Sequence, residues 1–251
     1  MKSRYARPCE RCPVRYDVAM EPEERPTGTT RPRDILASLR PQIFAKGAPQ
    51  KVVDPIVEPL WVGVRTLAAV DDAGATMIDA DGEPIPDADR ILEGLTAGAR
   101  AEALVIDGFI TKQSHAAGSV YLWSDDLPSM STLFGLRRDR ASDTVKLKES
   151  ALDSVTFDPD DEVRLIVTDL LWLDDASLLD VPLLERRRLL DSVLVESDFV
   201  RIGAYVRPPI HTWVGSWRSQ GFQGLTFKAA NSRYRPGESN PEWVVSGMPR
   251  R

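Results

Sequence analysis

Chemistry in this chain would have to come from a few charged side chains set in apolar stretches. Glu58-Pro59-Leu60-Trp61-Val62-Gly63-Val64-Arg65 carries one carboxylate and one guanidinium in an otherwise apolar run. Gln223-Gly224-Leu225-Thr226-Phe227-Lys228 ends on an amine. Such groups either hold a polar ligand or pair with one another. Cys9 and Cys12 form Cys-x-x-Cys, half of a tetrahedral zinc site. The two histidines, His115 and His211, lie far off in sequence, so zinc is not expected unless it is shared across a dimer or with a partner. A redox pair would need a strand-to-helix setting, which Arg-Pro-Cys-Glu-Arg-Cys-Pro does not supply. These cysteines read as plain reduced thiols.

The first of these stretches resembles the opening motif of ATP-dependent DNA ligases, Glu-x-Lys-x-Asp-Gly-x-Arg. There the Lys attacks the α-phosphate of ATP and carries AMP as a phosphoramidate. Glu58, Gly63 and Arg65 match, while Leu60 stands at the Lys position and Val62 at the Asp position. Leu104-Val105-Ile106-Asp107-Gly108-Phe109-Ile110 looks like the family strand built on Asp-Gly-Glu, with Phe109 where the Glu serves ribose and metal. Val167–Leu173 resembles the Phe-Asp-Leu-Leu strand, with Thr168 in place of the ring that faces adenine. Leu179–Arg187 is close to the start of the helix that follows. Gln223 to Lys228 looks like Glu-Gly-x-x-x-Lys, with Gln223 for the metal-binding Glu. Tyr234-Arg235-Pro236-Gly237 has the form typical of bacterial end-joining ligases. Trp243-Val244-Val245-Ser246-Gly247 resembles Trp-x-Lys-x-Lys without either Lys.

The likeness runs over roughly residues 33–247, more than one short motif supplies by chance. Scaffold positions match and catalytic positions mostly do not. Leu60 has no lone pair with which to attack phosphorus. Val62, Phe109 and Gln223 replace three carboxylates, so Mg²⁺ is not expected to bind. Val245 and Gly247 replace two cations that would face the phosphates. What remains is Glu58, Arg65 and Lys228. The resemblance implies that Glu58 reads the adenine amino group, Arg65 contacts the nucleotide and Lys228 faces the phosphate. These three either hold ATP or AMP weakly or pair as a structural network.

Three functions stay open on this basis. One is a pseudoenzyme scaffold that binds nucleotide, DNA ends or a DNA-repair protein. Another is an active nucleotidyltransferase with a displaced nucleophile. Lys228 is the one lysine matched to a pocket position, since strand alternation turns Lys112 away from Phe109. The third is an interaction module that uses its arm with Cys9 and Cys12.

Composition sets the frame. The 251 residues suit one large domain, or a domain with a tail, and are 42% hydrophobic and 28% charged, as in ordinary globular proteins. The net charge of −6 argues against a broadly basic nucleic-acid surface. Arg137, Arg138 and Arg140, then Arg186 to Arg188, then Arg233, Arg235, Arg250 and Arg251 form local clusters, read as solvated faces. No apolar run reaches membrane-span length and no signal peptide opens the chain, so a cytoplasmic protein is expected. Residues 1–32, rich in Arg, Pro, Glu and Thr, read as an extended or disordered arm. Residues 33–251 read as the ligase-like domain, with no OB-fold domain after the fifth motif.

The elements that must position these groups follow from pattern. Helices are predicted over Arg33–Leu39, Asp87–Ala99, Leu127–Leu136, Leu183–Leu194 and Pro208–Ser219, the fourth with its three arginines outside. Strands are predicted at Val52–Val57, Leu60–Val70, Ala75–Asp79, Ala103–Thr111, Ser119–Trp123, Val163–Leu173, Phe199–Val206, Gly224–Lys228 and Trp243–Val245. Asn231–Pro241 reads as a loop, and Ser142–Phe157 fits neither period. Irregular alternation with hairpins predicts an α+β fold. With the resemblance, this becomes a ligase-type nucleotidyltransferase domain: two mainly antiparallel sheets flanking a cleft, helices outside, with Leu60, Phe109 and Lys228 lining the cleft.

Overall fold

A computed structural model describes residues 31–111 and 163–249. The arm up to residue 30, Cys9, Cys12, His115, Lys112, the first arginine cluster, Arg250 and Arg251 lie outside the described residues. So do the predicted elements between Ser119 and Phe157.

The described residues form two sheets. The smaller has four strands in the order β1–β10–β9–β2. These are β1 (Ile43–Ala45), β2 (Pro55–Pro59), β9 (Gly224–Ala229) and β10 (Ser239–Gly247). The larger runs β4–β3–β5–β6–β7, with β8 also on β6. Its strands are β3 (Val64–Asp71), β4 (Gly74–Asp79), β5 (Leu104–Thr111), β6 (Arg164–Leu173), β7 (Ala176–Ser177) and β8 (Val200–Ile202). Pairing is antiparallel except β1 with β10 and β6 with β8. The four described helices are α1 (Pro32–Ser38), α2 (Asp89–Gly98), α3 (Leu183–Val193) and α4 (His211–Ser219). None of them is long and apolar enough to cross a membrane. The α+β fold with two mainly antiparallel sheets is therefore as the sequence predicts.

Local chemistry explains the joints. Asp71 accepts the Ala73 amide at the β3–β4 turn, where Gly74 takes the positive φ of +99° that side chains avoid. Pro182 precedes α3, supplying a fixed φ at the helix entry. Gly221, at φ +85°, follows α4 as expected of a C-terminal glycine.

The central strands of the larger sheet are buried on both faces, which is why β5 and β6 read as near-continuous apolar runs. Leu67, Ala69, Val105, Phe109 and Ile166 face one apolar cluster, together with Ile56, Leu60, Trp61, Phe44, Tyr234 and Trp243. Ala68, Leu104, Ile106, Leu165 and Val167 face another, covered by Ile91 and Leu95 of α2 and Leu190 of α3.

Three expectations need correction. The arginines of α3 are not all outside: Arg186 and Arg187 are fully buried and only Arg188 is exposed. Leu183, Arg186, Arg187 and Leu190 stand at i, i+3, i+4 and i+7, so the helix period places both arginines on the core stripe. The strand expected over Phe199–Val206 pairs as β8 for three residues, with one further bridge from Val206 to Val57. The last strand begins earlier than predicted, at Ser239, because the Pro241 that suggested a loop lies within the long β10 strand.

Candidate functional site

The stretch from Glu58 to Arg65 crosses from the small sheet to the large one. Glu58 and Pro59 end β2, and the Leu60 amide donates to the Gly224 carbonyl at 2.9 Å, holding this crossing against β9. Gly63 then lies so close to the Ile110 carbonyl that a Cβ would overlap it. The Thr111 hydroxyl donates to the Val62 carbonyl at 2.6 Å, fixing the same turn to β5. Arg65 follows on β3, opposite Phe109 of β5.

Strand register gathers the retained charges. Glu58 of β2 lies opposite Thr226 of β9, and Ile56 opposite Lys228. Alternation therefore puts Glu58, Thr226 and Lys228 on one face. The Lys228 ammonium lies 2.6 Å from Glu58 Oε2 and 4.4 Å from the centre of the Trp243 ring. Thr226 donates to the same Oε2 at 3.4 Å, while Glu58 Oε1, also buried, has no hydrogen-bond partner.

The second charged group is on the facing sheet. Arg65 donates through Nε and Nη2 to the two oxygens of Asp107, at 2.6 and 2.5 Å. The Tyr234 hydroxyl donates to Asp107 Oδ2 at 2.6 Å and accepts from the Gln42 amide. The Phe109 ring packs 4.7 Å from the Arg65 guanidinium and Phe44 packs 5.6 Å from it.

A third pair completes the layer. Arg186 reaches both oxygens of Asp169 at 2.8 and 2.6 Å and also donates to the carbonyls of Val181 and Ser232. Its guanidinium lies 5.8 Å from the Tyr234 ring. Glu58, Asp107 and Asp169 thus face Arg65, Arg186 and Lys228, three of each sign, all buried.

Burial and pairing tune these groups. Burial drives Lys228 below its ordinary value; the Glu58 carboxylate opposes this without reversing it, and Arg65 adds to the fall. Burial would also depress Arg65, but the attraction and hydrogen bonds of Asp107 overcome it and hold the guanidinium charged. Burial, then the neighbouring Asp107 charge, pushes the Tyr234 phenol well above its usual value.

The structure brings Glu58 and Lys228 into contact and places Arg65 across from them in a separate pair. Leu60 and Phe109 belong to one apolar cluster, 3% and 4% exposed, and Val62 is 1% exposed. Gln223 and Gly247 are at the surface, Val245 is half-buried, and Gln223 donates to the Gly221 carbonyl. Sequence reasoning missed Asp107, Asp169, Arg186 and Tyr234 as members of this layer. The signal was there for the two aspartates. Each is a carboxylate in a strand apolar on both faces, which demands a buried partner.

These motifs and this two-sheet geometry match known proteins. The model of the ATP dependent DNA ligase domain matches residues 132–244. A DNA ligase of Methanothrix thermoacetophila is 33% identical over 91 residues, covering 33% of this chain and 15% of its own length. DNA ligase 2 of Haloquadratum walsbyi is 27% identical over 176 residues, covering 69% of this chain and 27% of its own. The ligase domain of M. tuberculosis LigD superposes with a TM-score of 0.54 at 21% identity, over 82% of this chain and 58% of that one. A mycobacterial DNA ligase D complexed with ATP and MES gives 0.55 at 21% identity, over 83% and 60%. The chain is thus similar to ATP-dependent DNA ligases in sequence over part of its length and shares the fold of their ligase domains. It spans about a quarter or less of the length of those two curated relatives.

Proposed function

We propose that this ligase-type domain does not adenylate itself and serves as a scaffold for DNA ends or for a DNA-repair protein. The observation that carries this reading is Leu60. The position of the ligase nucleophile holds an aliphatic side chain, buried in the apolar cluster between the sheets. Transfer of AMP from ATP to a side chain needs an amine lone pair in line with the α-phosphate, forming the N–P bond as pyrophosphate leaves. Val62, Phe109 and Gln223 in place of carboxylates leave Mg²⁺ without anionic ligands, and Val245 and Gly247 leave the developing charge uncompensated. Arg65 and Lys228, the cations that remain, already have carboxylate partners.

One observation favours the displaced-nucleophile reading. Attack requires a neutral amine, and burial lowers the pKa of Lys228, which eases loss of its proton. Its amine is nevertheless 1% exposed, bonded to Glu58 and packed on Trp243, so it would have to leave both before reaching a phosphate.

DNA binding by the full chain, followed by fluorescence anisotropy, tests the scaffold reading. Nicked or blunt-ended duplex should be retained and not sealed when ATP and Mg²⁺ are added. Sealing by the protein alone would refute the reading.

A further inference from the structure

We infer that the cleft in which ligases hold adenylate is self-occupied in this chain, so that purine nucleotides are excluded from it. The inference rests on the non-adenylating reading and goes beyond it, because a pseudoenzyme can still bind ATP. A nucleotide site needs space for a base and cations left over for phosphate. Here the space between the sheets is filled by Leu60, Phe44, Phe109, Tyr234 and Trp243, all in one cluster and each at most 5% exposed. The cations are bound as well. Lys228 donates to Glu58 and lies against Trp243, and Arg65 is held by both oxygens of Asp107 with Phe109 on its face.

Phe109 is the residue on which this turns. It stands where the resemblance implies a carboxylate, and its ring packs on Arg65. An anionic side chain there would compete with Asp107 for the guanidinium; a phenyl ring does not, and it excludes water from the pair. The Arg65–Asp107–Tyr234 chain and the Glu58–Lys228 pair then act as internal ligands that replace substrate. Among the described residues, Oε1 of Glu58 is a buried side-chain acceptor without a hydrogen-bond partner, and it could take a donor such as an adenine amino group. It is 1% exposed with its residue, and reaching it would require separating the packed rings.

Equilibrium dialysis of the full chain against α-labelled ATP and labelled adenosine, without and with Mg²⁺, tests the inference. Denaturing electrophoresis of the same samples reports covalent label. The expected result is no saturable binding of either probe at millimolar concentration and no change in melting midpoint. The paired replacement of Glu58 by Leu and Lys228 by Met provides a second measurement. It should melt closer to the unaltered protein than Lys228→Met alone, because the single change strands a buried carboxylate. Saturable, non-covalent binding that Glu58→Gln weakens tenfold or more would overturn the inference while leaving the non-adenylating reading intact. Covalent label would overturn both. Binding that Glu58→Gln leaves unchanged lies elsewhere on the protein and supports exclusion from the cleft.

Discussion

Replacing Arg186, Arg187 and Arg188 one at a time by methionine separates burial from charge on a single helix. The three side chains are adjacent in sequence, equal in formal charge and similar in length. Arg186 holds both oxygens of Asp169, and neither residue is exposed. Losing one member of a buried pair costs about 3–5 kcal/mol, since the other charge stays without compensation. Arg187 has no carboxylate partner among the described residues and donates to the carbonyls of Val167 and Gly203. The Val167 carbonyl keeps the Gly203 amide at 2.8 Å, so Arg187→Met strands one buried acceptor, at about 1–3 kcal/mol. Arg188 is 62% exposed and pairs with Glu185 three residues back, a contact of about 0.2–0.5 kcal/mol. Domains have about 5–15 kcal/mol in all, so the first change removes a large part and the third almost nothing. Urea unfolding at unchanged slope should show a midpoint drop of about 1–2 M for Arg186→Met, less for Arg187→Met and within error for Arg188→Met. Equal small shifts across all three would refute the burial of this pair.

The remaining expectations concern the same layer. Tyr234 has a folded-state pKa above its unfolded value of 10.0, so it keeps its proton in the folded state while the unfolded chain loses it. Its contribution is therefore present below about pH 10 and is lost as pH rises toward the folded value. Tyr234→Phe should be less stable than the unaltered protein near neutrality, and the gap should narrow above pH 10; a gap that widens there contradicts the assignment. Gly63→Ala forces a Cβ onto the Ile110 carbonyl, where backbone must give way. A loss of about 1–3 kcal/mol or more is expected by thermal or urea unfolding, and a neutral outcome would mean that the crossing from β2 to β3 is looser than described.

The sequence displayed most of the strands, because burial on both faces leaves an unmistakable apolar run, as in Leu104–Thr111 and Val163–Leu173. The β3–β4 hairpin was equally open to reading, through Asp71-Asp72-Ala73-Gly74. What stayed hidden was the pairing of charges. Arg186 and Arg187 look like a surface run until the spacing from Leu183 to Leu190 is applied, and composition pulls the other way. Asp107 and Asp169 sit opposite each other in register, which becomes visible only when β5 and β6 are paired. Tyr234 comes from a loop with no periodicity, and its bond to Asp107 spans 127 residues of sequence. Glu58, Arg65 and Lys228 were legible as retained charges, but whether they would point at solvent, at a ligand or at one another depended on the two sheets meeting.

We propose that leucine at the nucleophile position keeps this ligase-type fold from taking up AMP covalently. Transfer of label from α-labelled ATP to the full chain in the presence of Mg²⁺, read after denaturing electrophoresis, measures this directly. The account predicts no labelled band from the unaltered protein and none from Leu60→Lys, whose new amine still lacks metal ligands and phosphate-binding cations. A stoichiometric band on the unaltered chain, abolished by Lys228→Met or by loss of another single lysine, would contradict it.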